Sequence, residues 1–169
     1  SSYGFELPVS VNLSAYNLMD SAFIPFVRSL LEKSGIKPAL LEFELTESAT
    51  MVDIAVSRRV LSDFREMGIA TSIDDFGTGY SSLYYLKHLP LDEIKIDRVY
   101  VQNIINDKDD AAIVKTIMDI ARHFALDPVA EGVENNKQAV FLQKIGCKVF
   151  QGFFYSKPMT AAGFSAKYF

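Results

Sequence analysis

Short apolar runs alternate with longer amphipathic stretches along the whole chain. The short runs have the length and composition of strands: PVSVNLS (8–14), LLEFELTE (40–47), IATSIDDF (69–76), DEIKIDR (92–98), DPVAEGVE (127–134) and KVFQGFFYS (148–156). Between them, apolar positions recur at helical spacing. AFIPFVRSLLEKSG stops at Gly35 with Pro38 beyond it, DIAVSRRVLSDFREMG stops at Gly68, SSLYYLKHLP stops before Pro90, and NNKQAVFLQKIG closes at Gly146. In DAAIVKTIMDIARHFAL the spacing puts Ile113, Ile117, Ile120 and Phe124 on one face. This alternation predicts an α/β fold, a parallel sheet with helices packed outside it.

Strands covered on both faces read as nearly continuous apolar runs. These strands do not. Lys95 and Asp97 alternate with Ile94 and Ile96, Glu42 and Glu44 alternate with Leu41, Phe43 and Leu45, and Asn12 separates Val11 from Leu13. Glu131 follows Ala130, and Gln151 follows Phe150. A polar residue at the end of one strand is ordinarily the start of a solvated loop. The same pattern on every strand candidate points to a site, because open parallel sheets and (β/α) barrels both build theirs at C-terminal strand ends.

The residue types at those ends are oxygen donors suited to hard cations. His88 and His123 fall in helical stretches without ligand spacing, and Ser81 and Ser82 lack a nucleophile-elbow context. SIDDF is the unusual segment. Neighbouring side chains of a strand point to opposite faces, and each carboxylate is costly to bury, yet Asp74 and Asp75 are adjacent. At a barrel mouth the pleat ends, which would let both reach an axial site. A pair of metal ions about 3.5–4 Å apart draws on such adjacent carboxylates.

The chain has 169 residues, 49% of them hydrophobic and 22% charged, as expected for one globular domain. Its net charge of −4 comes with no basic stripe, so DNA is not an expected partner. An anionic ligand would need bound metal or placed cations to enter so acidic a site. Cys147 is the lone cysteine, and no apolar run approaches the roughly 18 residues of a membrane span. SSYGFELPVS has no signal-peptide pattern, and a cytoplasmic location is expected.

Taken in order, VNLS, ELTE, DDFGTGYSSL, KIDR, AEGVE and QGFFYSKP resemble the motifs of EAL-domain cyclic-di-GMP phosphodiesterases, from about Pro8 to Phe164. The resemblance implies a TIM-barrel-like fold and hydrolysis of cyclic-di-GMP to linear pGpG, in bacterial second-messenger signalling. It implies Mg²⁺ or Mn²⁺ as a pair of ions, with Ca²⁺ inhibitory. The implied metal ligands are Asn12, Glu44, Asp74, Asp75 and Glu131, and the implied catalytic residues are Lys95, Glu131 and Gln151, with Lys95 and Gln151 acting on the attacking water. Glu47 matches a loop-anchoring glutamate, and Glu134 a further site-supporting carboxylate.

The signature Glu-Ala-Leu motif does not occur in this sequence. Six strand candidates stand where the barrel has eight, and 169 residues stand against about 250. The expectation is a partial EAL domain over 1–169, from the third strand onward, weakly active or inactive alone. Unpaired edges predict a homo-oligomer, and upstream sensory or cyclase domains are expected in a parent chain. The alternative is a degenerate module that binds cyclic-di-GMP or a protein without hydrolysis. A Mg²⁺-dependent proton-abstracting barrel would also explain the carboxylates, but gives no reason for the DDFGTGYSSL loop.

Overall fold

The computed structural model describes residues 6–79 and 83–169, apart from the Tyr85 side chain. Tyr80, Ser81 and Ser82 of the DDFGTGYSSL motif lie outside the described residues. One sheet contains β1 (Val9–Leu13), β2 (Leu41–Thr46), β3 (Ala70–Phe76), β4 (Glu93–Ile96), β5 (Asp127–Ala130) and β6 (Val149–Phe150). Neighbours in the sheet are neighbours in sequence, and every pair is parallel.

That order decides the architecture. Parallel crossovers are right-handed, so an order that never reverses carries every helix to the same side. A doubly wound sheet reverses its order and has helices on both faces. The chain is therefore an arc of a barrel, with its helices outside and its polar strand residues facing in.

The connecting helices are α1 (Ala15–Met19), α2 (Phe23–Ser34), α3 (Glu47–Met51), α4 (Ile54–Met67), α5 (Leu83–Leu86), α6 (Arg98–Asn103), α7 (Lys108–Phe124) and α8 (Asn136–Lys144), with α9 (Ala161–Tyr168) after β6. The core lies between sheet and helices, where Phe43, Leu45, Ile73 and Ile94 meet Leu61, Phe64, Val114 and Leu142. Phe43 and Phe64 pack with ring centroids 4.7 Å apart, a separation that adds to the burial energy of both rings. Asp53 accepts from the Val56 N–H at 3.0 Å to start α4, and Asp107 caps α7 in the same way.

Two sequence expectations are corrected. The buried stripe of α7 is Val114, Ile117, Met118 and Ala121; Ile113 is exposed, while Ile120 and Phe124 pack at the margin. KVFQGFFYS is not one long strand. After Phe150 its backbone bonds go to the segment following β5: Val133 N–H donates to Gln151 O at 3.0 Å, and Phe154 N–H to Val133 O at 3.0 Å. With a carbonyl and an N–H engaged there, the chain turns, and Phe153, Phe154 and Tyr155 stand exposed rather than packed in a strand.

Both ends of the arc lack a further strand among the described residues. At one of them Val9 and Val11 of β1 are exposed, as are Phe26 and Leu30 of α2. No helix among the described residues is long and apolar enough to cross a membrane.

Candidate active site

Lys95 stands at the centre of the inner face. It lies on β4, register-paired with Val129 of β5, and only 4% of it is exposed. Three carboxylates surround its ammonium: Glu131 Oε1 at 2.6 Å, Glu44 Oε2 at 2.8 Å and Asp74 Oδ1 at 3.5 Å. Each comes from a different segment, just past β5, on β2 and on β3. Burial alone would pull the lysine pKa down, but the hydrogen bonds to Glu131 and Glu44 outweigh it and hold Lys95 charged, above the usual lysine range. Glu131 is itself pushed up by burial, against the pull of Lys95.

The paired aspartates are separated by a bulge. Ile73 pairs with Ile94 and Phe76 with Ile96, so β3 takes one more residue than β4 over the same span. Asp75 absorbs the difference with φ 54°, in the left-handed region. The strand runs to Phe76, where the sequence placed its end, but the pleat is interrupted by the bulge rather than finished at the aspartates, and this re-aims them. Asp74 turns to Lys95, and Asp75 lies beside the Asp97 carboxyl. The neighbouring Asp97, burial and the charge of Asp74 push the Asp75 carboxyl up to about 6.

Asp97, noted in the sequence only for its alternation with Ile96, was not among the expected site residues. It also caps α6, accepting from the Val99 N–H at 2.6 Å. Its signal was the same parity as Lys95 in EIKID.

The remaining positions sit around this cluster. Asn12 is register-paired with Glu44 and exposed at the end of β1. Gln151 is exposed just beyond β6, its backbone N–H donating to Ala130 O at 2.8 Å. Glu47 is buried at the start of α3. A Cβ on Gly79 would lie 3.5 Å from the Glu47 carboxylate, an ordinary contact distance, so the loop after β3 runs beside that side chain. Glu134 is exposed, accepting from Gln102 Nε2 at 3.4 Å.

Among the described residues, no group of three or more His, Cys, Asp or Glu side chains is arranged to hold a metal ion. The carboxylates close on Lys95 instead. By donor chemistry they nevertheless fit a hard divalent cation: all are oxygen donors, and Glu44, Asp74 and Glu131 outnumber the single ammonium they share.

Comparison with known proteins gives this geometry a family. The EAL domain model matches residues 2–158. The bifunctional diguanylate cyclase/cyclic di-GMP phosphodiesterase MucR of Pseudomonas aeruginosa is 45% identical over 90% of this chain, which spans only 22% of MucR. The structure of the PaMucR phosphodiesterase in complex with c-di-GMP superposes with a TM-score of 0.88 at 44% identity, covering 93% of this chain and 64% of that one. The manganese/cy-diGMP complex of Klebsiella pneumoniae BlrP1 matches at a TM-score of 0.83 and 31% identity, covering 90% and 39%. The arc of strands is thus part of the TIM-barrel-like fold of these proteins, and the chain belongs to the EAL domain family.

Proposed function

We propose that the chain is the later part, from the third strand onward, of a cyclic-di-GMP phosphodiesterase domain that yields linear pGpG. The observation that carries this reading is the meeting of Glu44, Asp74 and Glu131 around a buried Lys95 at the strand ends. Similarity to MucR and to the c-di-GMP complexes supports the substrate. A parent chain with further domains, as in MucR, accords with the small share of that protein spanned here.

In this reading Asn12, Glu44, Asp74, Asp75 and Glu131 hold Mg²⁺ or Mn²⁺. When bound, the ions supply Lewis acidity toward the phosphate and lower the pKa of a water. Lys95, kept charged by its neighbours, donates hydrogen bonds to the attacking water and neutralises charge gathering on the phosphoryl oxygens. Gln151 helps to hold that water from the adjoining segment. Water adds to phosphorus, one P–O ester bond breaks, and the proton that the water gives up balances the one that the departing sugar oxygen takes. Glu47 fixes the loop carrying Gly79, and through it the position of Asp75.

A second reading is a module that binds the dinucleotide without cleaving it, favoured by the ion pairs that tie Glu44, Asp74 and Glu131 to Lys95. Incubation with cyclic-di-GMP and Mn²⁺, followed by chromatography for pGpG, separates the two. Slow product formation that Lys95→Ala abolishes is the expected result. Binding without product would favour the module, and no binding would overturn both.

A further inference from the structure

The turn that carries Asp75 is shaped from within. The Asp75 N–H donates to Asp74 Oδ1 at 3.0 Å, and the Asp75 carbonyl accepts from the Thr78 hydroxyl at 2.8 Å and the Thr78 N–H at 3.3 Å. These bonds fix the conformation of the segment but not its place beside β4. Contacts from outside supply the place. Phe76 is register-paired with Ile96, and just beyond it the Tyr100 hydroxyl donates to the Gly77 carbonyl at 2.5 Å. Gly77 has φ 92°, a conformation open to glycine. Tyr100 belongs to α6, and its half-buried ring packs against the core. The hydroxyl at its tip therefore has a fixed position from which to hold the turn.

The start of α6 thus meets the turn at two points. Asp97, its N-cap, lies beside the Asp75 carboxyl, and Tyr100, three residues later, takes the carbonyl two residues past Asp75. Lys95 stands on β4 just before both. One short stretch of chain therefore presents the lysine to Asp74 and holds the segment that aims Asp75. Such outer partners matter because metal–oxygen distances tolerate only about 0.2 Å of error, and ligands are kept within that range by the groups behind them. Phenylalanine would fill the same space as Tyr100 and lose only the bond. Resting on the function proposed above, we infer that Tyr100 is a positioning residue for the metal centre: its hydroxyl latches the Gly77 carbonyl and so keeps Asp75 aimed to share the ions with Asp74.

Tyr100→Phe tests this by removing one oxygen atom. Mn²⁺ affinity is read from the electron paramagnetic resonance signal of the free ion, beside thermal melts and pGpG formation at limiting and saturating Mn²⁺. The variant should bind Mn²⁺ about 10-fold more weakly, the lower end of what losing an outer partner of a ligand costs. Product formation should fall at limiting Mn²⁺ and recover at saturation. Val27→Ala, a core truncation on α2 at the far end of the arc, serves as the control for a general loss of stability. It should lower the melting temperature and leave Mn²⁺ affinity in place. Equal weakening in the two variants would trace the effect to a loosened fold and overturn the inference. Unchanged Mn²⁺ affinity in Tyr100→Phe would overturn it too, leaving the phosphodiesterase reading intact. An unaltered chain that takes up no Mn²⁺ would instead bring down that reading's metal centre, and this inference with it.

Discussion

Lys95 Nζ and Glu131 Oε1 lie 2.6 Å apart on adjacent strand ends, and the lysine's burial makes this contact one that neither partner can lose cheaply. Replacing Lys95 by alanine strands Glu44, Asp74 and Glu131 as mutually repelling carboxylates. The expected loss is about 3–5 kcal/mol in urea denaturation. Millimolar Mg²⁺ should restore more stability to the variant than it adds to the unaltered chain, because the ion can replace the missing charge. An equal effect on both would argue that the carboxylates do not take a divalent cation.

Glu93 supplies a pH dependence away from the candidate ligands' contact with Lys95. It pairs in register with Ser72 and Asp127. Burial, followed by the charges of Glu42, Asp127, Asp92 and Glu44, pushes its carboxyl from 4.5 to about 7. A carboxyl raised on folding favours the native state below the unfolded pKa, and that contribution is lost as pH rises through the folded one. Glu93→Gln should therefore stabilise the chain at pH 8 relative to pH 4.5, by on the order of 1 kcal/mol after screening of a half-buried group. Thermal melts at the two pH values that shift in parallel would refute it.

Asp97 combines two roles that substitution can separate. Asp97→Ala removes the cap on α6 and should cost about 1 kcal/mol. Asp97→Asn keeps an acceptor for the Val99 N–H and should cost little. Both changes release Asp75, whose titration midpoint should fall from about 6 toward 3.8, read by carboxyl-carbon NMR. A midpoint unmoved in both variants would show that Asp97 does not hold Asp75.

The open ends of the arc predict association. β1 offers an unpaired edge beside exposed Val9, Val11, Phe26 and Leu30, and such edges recruit other chains. Light scattering behind size exclusion should report a species larger than one chain. A lone, stable monomer across a tenfold dilution would contradict this.

How much of this was legible beforehand depended on the range of the forces involved. The strands, their parallel sense and the inward polar residues follow from local alternation, which is why Glu44, Asp74, Lys95 and Glu131 could be named from sequence. Helices of five or six residues, such as α1, α3 and α6, show too little periodicity to read. The end of β6 was misplaced because Val133, distant in sequence, takes the bonds of the segment that follows Phe150. The Asp75–Asp97 contact needs a bulge, and a bulge is a mismatch between two strands that neither strand records alone.

Because β2, β3, β4 and the end of β5 each contribute one arm to the Lys95 cluster, no local fragment can assemble it. The centre exists only where segments remote along the polypeptide have docked together, so it belongs to the global fold rather than to any one helix or hairpin. Occupancy of the centre should then resist global unfolding while leaving the fraying of single helices almost untouched.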